Sequence, residues 1–384
     1  MQKEYIIYYP LEEGKIEEEW EQCLKQIRNA ISNVNQPVKI NIFADLADFN
    51  AFLTLRKKIV ESACDSLGDH TPAISFTAHP PEKPWKITVE ALFIQSGFSD
   101  ITTRFYDSIP YIVIRTKWGK EIWAAGLGSG FSPKDTRRAA ETAFNQAAGI
   151  LEMEEMTMNN IIRQWNYIGN ILAVCKGFQN YQIFNEVRSE YYHRYRSVSG
   201  YPAATGIGMG LNGVIIDFCA VQADGSVQIK GLSNPNQVNA YEYGQKMLKG
   251  IKETGKPKKQ PPQFERALLF ATEKSPVLYI SGTASIKGQE TIGIGDVEKQ
   301  TLVTIDNIKK LADLQMIKEI TGKGTEYALR YTLLRVYIKS EKDFGIVRKI
   351  CEEMFPSVPA VFIQADVCRD NLLTEIEAEL VFEF

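Results

Sequence analysis

The chain has 384 residues, enough for two or three domains, and its 44% hydrophobic and 24% charged residues are those of an ordinary globular protein. A net charge of −3 leaves no electrostatic footprint for nucleic acid or an acidic membrane surface, and no run approaches the roughly 18–20 apolar residues of a membrane span. Six scattered cysteines without a CxxC pair, and only three histidines, poorly supply a structural zinc site, a disulfide framework or a histidine triad.

Glu, Arg, Tyr or Cys is therefore expected to carry any chemistry. The start, Met1-Gln2-Lys3-Glu4-Tyr5, lacks the apolar region of a signal peptide, and a cytoplasmic location is expected.

Glu17 to Ile31 has a helical pattern, and Val38 to Phe43 alternates as a strand. Asp48-Phe49 starts a second helix, Pro72-Ala73 opens a strand, and Trp85 to Phe93 closes the set. The same order returns in the middle of the chain. Helix Asp135 to Leu151 leads to strand Ile161 to Ile168, a helix holding Phe184-Asn185-Glu186-Val187-Arg188, then Pro202-Ala203 and strand Val214 to Val221. Gly126-Leu127-Gly128-Ser129-Gly130 reads as a loop before Asp135, and Gly206-Ile207-Gly208-Met209-Gly210 as a connection between strands. Neither has the spacing of a nucleotide-binding loop. Lys249 to Lys259, rich in Lys, Pro and Gly, reads as a solvated loop.

The order appears a third time as helix Val297 to Leu314, strand Leu333 to Ile338, helix Phe344 to Phe355, Pro359-Ala360, and the closing strand Leu372 to Phe382. This recurrence predicts an α+β fold of three tandem αβ sandwich repeats, at 1–96, 97–225 and 226–384, the last including a linker or lid loop. Aligning Ala91, Ala220 and Ala378 sets Glu375 against Asp217 and Thr88, so one repeat alone keeps a glutamate there. One chemically competent interface is the expectation.

Glu375, Glu377 and Glu379 share one face of a strand. If that face is enclosed, like charges raise one another's pKa; if not, it is a solvated carboxylate row. Arg266 precedes the apolar run Ala267 to Ala271, and Arg335 interrupts Leu333 to Ile338. A guanidinium there either binds a substrate carboxylate or pairs with a carboxylate of a neighbouring repeat. Arg369, beside Cys368, is a substrate contact or a loop cap, and Arg188 reads as a helix anchor matched by Arg348. Tyr241 and Tyr243 lie in a polar loop able to fold over a site, and Gly282, Thr283 and Ala284 would set how closely a ring approaches their strand.

Val277-Leu278-Tyr279-Ile280-Ser281-Gly282-Thr283, Gly295-Asp296-Val297-Glu298-Lys299-Gln300-Thr301, Asp343-Phe344, Pro359-Ala360 and Glu375-Ile376-Glu377-Ala378 resemble the Rid/YjgF family, small homotrimers with sites at subunit clefts. More specific strings resemble the chorismatases. They are Arg163-Gln164-Trp165-Asn166-Tyr167-Ile168, the Phe184 to Arg188 string, Tyr201-Pro202-Ala203-Ala204-Thr205-Gly206-Ile207-Gly208, Gln237-Val238-Asn239-Ala240-Tyr241-Glu242-Tyr243, Phe264-Glu265-Arg266-Ala267, Ser281-Gly282-Thr283-Ala284-Ser285 and Cys368 to Glu377.

The resemblance implies a pseudo-trimer of Rid-like (chorismate-mutase-like) units within one chain. It would act on chorismate without metal or organic cofactor, releasing pyruvate with 3-hydroxybenzoate, a related hydroxybenzoate or a dihydroxycyclohexadienoate. Glu375 would protonate the enolpyruvyl group, and Arg266, Arg335, Arg369, Tyr241, Tyr243, Gly282, Thr283 and Ala284 would contact substrate. In the family, a cysteine at the place of Cys368 accompanies the hydroxybenzoate-forming members. The Rid arginine after Pro-Ala is replaced by Ile74, Ala204 and Val361, which argues against a plain imine deaminase. An imine or enamine deaminase and a non-catalytic metabolite-binding module are the alternatives. No nucleic-acid or membrane partner is expected, and a working monomer is expected with a higher oligomer left open.

Overall fold

A computed structural model describes residues 2–95, 100–128, 135–272, 276–321 and 328–383. Three mixed sheets backed by helices make an α+β fold. In the N-terminal sheet the spatial order is Gln2–Tyr8, Ile87–Gln95, Asn35–Ala44 and Ala73–Thr77; neighbours are antiparallel except the last pair, which is parallel. The middle sheet repeats this arrangement with Gly119–Leu127, Val214–Ala223, Ile161–Gly169 and Ala203–Met209. The C-terminal sheet repeats it with Pro276–Ala284, Thr374–Glu383, Ala328–Ile338 and Ala360–Gln364.

Extra antiparallel strands widen two of the sheets, Ile109–Thr116 and Asp100–Tyr106 in the middle one, Ala267–Ala271 and Gln228–Leu232 in the C-terminal one.

A parallel pair needs a crossover, supplied by helices Phe49–Leu67, Asn180–Tyr195 and Phe344–Met354. Helices Ile16–Ala30, Thr136–Met153 and Val297–Leu311 precede the second strand of each sheet. Asp48, Asp135 and Asp296 start three helices by accepting hydrogen bonds from Ala51, Arg138 and Lys299 N–H groups, which lack partners within the helix. Helices cover the outer faces of the middle and C-terminal sheets in two separate cores, around Phe144 and Phe184, and around Ile305 and Val347. The inner faces of all three sheets meet in one central core holding Tyr5, Trp123, Trp165, Tyr279 and Tyr337.

That core also contains charge. Lys39 meets Asp217 at 2.9 Å, Arg163 meets Glu377 at 2.8 Å, and Arg335 meets Glu90 at 2.6 Å, each pair joining two different sheets.

Three expectations change. The helix expected over Val297 to Leu314 ends at Leu311, and Asp313 starts a second, Leu314–Thr321, by accepting from Gln315 N. Gly206 to Met209 lies inside strand Ala203–Met209, and Gly208 N donates to Asp366 O at 2.7 Å. Gly126 and Leu127 finish a strand rather than a loop, while Ser129 and Gly130 of that run lie outside the described residues.

The alanine alignment also shifts. Pairs Tyr5↔Leu92, Trp123↔Cys219 and Tyr279↔Glu379 occupy matching places in the sheets, so Glu90, Asp217 and Glu377 correspond. In this register Ala220 is two residues out of line, and Thr88 and Ile215 match Glu375. No helix among the described residues is long and apolar enough to cross a membrane.

Candidate active site

The middle and C-terminal sheets meet along strands Ala203–Met209 and Pro276–Ala284. Ala204 N donates to Ser281 Oγ at 2.8 Å, Ser281 Oγ donates to Glu265 O at 2.6 Å, and Gly282 N donates to Thr205 Oγ1 at 3.1 Å. Beside this seam opens a cavity of about 740 Å³ including its mouth. The middle sheet contributes Ala204 and Gly206, and helix Asn180–Tyr195 contributes Tyr181, Gln182 and Asn185. Gly282, Ala284 and Glu375 come from the C-terminal sheet, and Cys368 and Arg369 from the turn before its closing strand. Segment 233–266 covers the cavity with Tyr243, Met247, Leu248, Lys249, Pro262, Phe264 and Arg266.

Strand alternation aims Glu375, Glu377 and Glu379 inward, and all three are buried, but they do different things. Glu375 lines the cavity and makes no hydrogen bond or ion pair among the described residues. Burial, followed by the charge of Glu377, pushes its carboxyl up to about 8, against the pull of Arg266 and Arg163. It is an acid carrying its proton near neutral pH. A Cβ on Gly282 would lie 2.1 Å from Glu375 Oε1, so glycine is what lets the carboxyl lie along the neighbouring strand.

Glu377 sits behind the cavity, accepting from Arg163, Thr205 and Trp165 and pairing with Arg335. Glu379 accepts from Tyr5 Oη at 2.6 Å in the central core.

Arg266 is buried at the cavity wall without a carboxylate partner among the described residues. Its Nη2 donates to Val238 O and Tyr243 Oη, its guanidinium lies over the Phe264 and Tyr243 rings, and its Nε has no partner. An enclosed guanidinium with an open donor is suited to a carboxylate ligand. Arg369 donates to Gln289 O, lies over the Tyr243 ring, and also faces the cavity. The Cys368 thiol is pushed up to about 12, mainly by burial and then by Glu375, so it lines the cavity as a neutral group.

Thus Glu375, Cys368, Arg266, Arg369, Tyr243, Gly282 and Ala284 of the candidate residues line one cavity. Three expected residues do not join them. Arg335 is locked between Glu90 and Glu377 in the interior, because a guanidinium inside an apolar strand took the available carboxylates. Tyr241 packs on Tyr201, with ring centroids 5.3 Å apart, outside the cavity. Thr283 Oγ1 turns away to donate to Ser281 O.

Lys249 to Lys259 is an irregular and mostly exposed run, as its composition suggested; Lys249 also borders the cavity, and Lys256 and Lys259 are tied to Glu190 and to the Leu248 and Gly250 carbonyls. Tyr181 and Asn185 were not anticipated. They stand four residues apart on one helix face; the string at Phe184 to Arg188 contained Asn185 but stopped short of Tyr181. Arg188 donates to Asn185 Oδ1 at 2.7 Å, and the buried Asn185 Nδ2 is left without a partner at the cavity wall.

The fold is that of a chorismatase. A chorismatase crystal structure at 1.08 Å superposes with a TM-score of 0.64 over 98% of both chains, at 18% identity. Residues 121–220 match the family model described as chorismatase FkbO/Hyg5-like, N-terminal. The 3-hydroxybenzoate synthase of Streptomyces hygroscopicus is 33% identical over 316 residues, covering 78% of this chain and 82% of the relative. A chorismatase of Streptomyces rapamycinicus is 31% identical over 252 residues, covering 64% and 71%. The chain belongs to the chorismatase family.

Proposed function

We propose that this protein cleaves chorismate to pyruvate and 3-hydroxybenzoate, and that the cavity between the middle and C-terminal sheets is where it does so. The observation that carries the reading is Glu375, a buried carboxyl with no hydrogen-bond partner among the described residues, lining one cavity with Arg266, whose Nε has no partner there. Chorismate is a dianion whose enolpyruvyl ether breaks once its methylene carbon is protonated. Glu375 delivers that proton, giving an oxocarbenium-like ether. The neighbouring ring hydroxyl, losing its own proton, displaces the ether oxygen from its ring carbon. Pyruvate leaves with that oxygen as its carbonyl, and the ring is left as an epoxide. Arg266 holds one carboxylate, and Arg369 and Asn185 offer further donors.

The epoxide opens at the carbon that bore the hydroxyl, and loss of the proton from the carbon that keeps the oxygen gives 3-hydroxybenzoate, so the atoms balance without added water. Were water the nucleophile, a dihydroxycyclohexadienoate would leave instead. The neutral Cys368 thiol beside Glu375 occupies space a water would need, which favours the aromatic product.

The reading includes a pseudo-trimer of Rid-like units, 1–96, 97–225 and 226–384, working in the cytoplasm as one chain. Support comes from the strand order common to the three sheets and from a cavity completed by two parts of a single chain.

The test is to mix the protein with chorismate, follow pyruvate by a coupled assay and identify the second product by chromatography. Pyruvate with 3-hydroxybenzoate is expected. A non-aromatic diol would keep the ether cleavage and remove the role given to Cys368. Absence of pyruvate above the uncatalysed background, with ammonia released from imino acids, would replace the reading with a deaminase.

A further inference from the structure

We propose that Glu377 is a positioning residue, a permanently ionised carboxylate whose charge keeps the proton on Glu375. The inference rests on Glu375 being the acid of the reaction above. The two carboxyls share one strand face two residues apart, where side chains lie about 6–7 Å from each other, and they have opposite surroundings. Glu375 has no hydrogen-bond partner among the described residues. Glu377 has a partner on every side: Arg163 Nη2 at 2.8 Å, Trp165 Nε1 at 2.8 Å, Arg335 Nη1 at 2.6 Å, and the Thr205 hydroxyl.

Two guanidiniums and two neutral donors favour the charged form of a carboxylate over its protonated form. Burial alone would raise the Glu377 carboxyl, but Arg335 and Arg163 hold it below its ordinary value. Of an interacting pair of carboxyls in one enclosed site, the one with the cations ionises and the other retains the proton.

The machinery spans the molecule. Arg163 and Thr205 come from the middle sheet, Arg335 from the C-terminal sheet, and Arg335 is shared with Glu90 of the N-terminal sheet. Thr205 also accepts from Gly282 N, so the hydroxyl that steadies Glu377 registers the strand against which Glu375 lies. The titratable groups facing Glu375 are Glu377 on its own strand, Tyr337 across from it, Arg163 and Arg266, Tyr181 on the helix, and Cys368 in the preceding turn. Among them Glu377 alone is an anion at neutral pH, so its removal leaves only cations and neutral groups.

Difference infrared spectroscopy reads the carbonyl stretch of a protonated carboxylic acid, and the band missing from Glu375→Gln is that of Glu375. Titrating this band in wild type and in Glu377→Gln is the test. The midpoint is expected to fall by about one pH unit or more in Glu377→Gln, a tenfold loss of proton affinity, and to stay near wild type in Glu377→Asp. Because a lone buried cation destabilises the fold, the double variant Glu377→Gln/Arg163→Met is measured too, since it removes the pair together. Its midpoint should lie between those of the single variant and wild type.

The pH above which chorismate turnover declines should move in parallel, a response that mere loss of packing does not give. A midpoint unmoved in both Gln-containing variants overturns the inference. A shifted midpoint in a protein that releases no pyruvate overturns the reaction and leaves the pairing of the two carboxyls standing.

Discussion

An acid that keeps its proton inside a protein lowers stability in a defined pH window, and Glu375 is such a group. Its folded-state value near 8 lies above the ordinary 4.5, so between those values the native state binds the proton more tightly than the unfolded chain. The native state is therefore favoured at the acidic end, and this contribution disappears as pH rises to 8. A tenfold change in proton affinity corresponds to about 1.4 kcal/mol, so the whole effect is on the order of 4–5 kcal/mol. Glu375→Gln, which has nothing to ionise, is expected to be more resistant to urea than wild type at pH 8.5, and the gap should narrow by pH 5.5. Equal pH slopes in the two proteins would mean that Glu375 is solvated.

At this scale the sequence already marked Glu375 and Arg266 as candidates, because period-two glutamates on a closing strand and an arginine ahead of an apolar run are visible without coordinates. It did not separate Arg266 from Arg335. Both interrupt apolar strands, and only the third dimension shows that Glu90 and Glu377 claim one of them. Asn185 and Tyr181 stayed unseen as cavity groups because neutral polar residues on a helix carry no charge pattern that marks them.

Among the elements, segment 233–266 is the one whose packing bears most directly on substrate entry. Apart from a short 3₁₀ turn at Ala240–Glu242 it has no regular structure, yet it roofs the cavity. Side chains of two helices fasten it. Glu186 accepts from Gln260 N at 2.8 Å, Gln182 donates to Gln260 O at 2.9 Å, Lys256 pairs with Glu190 at 2.9 Å, and Arg137 pairs with both Glu190 and Glu253. Glu190 is thus the joint of the latch. The side chains of Lys256, Glu190 and Arg137 are 35%, 38% and 31% exposed, so salt screens them and each pair contributes only about 0.2–1 kcal/mol.

Glu190→Gln loosens two pairs at once. Trypsin is expected to cut after Lys246, Lys249 or Lys252 a few-fold faster in this variant, and 0.5 M salt should bring wild type towards the same rate. Identical cleavage rates at low salt would show that the roof is held by its backbone contacts alone.

Elements were the most legible part of the sequence, since aspartate caps, Pro-Ala strand openings and helical periodicity are local signals repeated three times. What escaped was also local. The strand at Ala203–Met209 looks like a glycine-rich turn because its glycines admit Tyr181, Ile171 and Asp366 at close range.

Across the whole molecule the three sheets are joined by buried charge as well as by apolar surface. Lys39–Asp217 binds the N-terminal sheet to the middle one, Arg163–Glu377 the middle to the C-terminal, and Arg335–Glu90 the C-terminal back to the N-terminal. The recurrence of one order of elements along the chain could be read from the sequence, but this closure could not, because each partner lies on a different sheet and no spacing links them. Neither Lys39 nor Asp217 lines the cavity, though Lys39 Nζ lies 4.2 Å from the centroid of the Trp165 ring, which donates to Glu377.

Asp217 also accepts from Ser75 Oγ at 3.0 Å and Gly126 N at 2.8 Å, so its carboxylate gathers donors from two sheets. Asp217→Asn leaves Lys39 charged and buried, and burial is the largest influence on that lysine, lowering its pKa. Loss of one partner of a buried pair costs about 3–5 kcal/mol, whereas replacing both with apolar side chains of similar volume is far less damaging. Urea unfolding is therefore expected to show Asp217→Asn destabilised by roughly 3 kcal/mol and Lys39→Met/Asp217→Leu recovering most of that loss. The chorismate turnover of the folded fraction should change little in either. A double variant as unstable as the single one would mean that the pair specifies how the sheets meet, so that charge at this seam selects the arrangement of the three sheets.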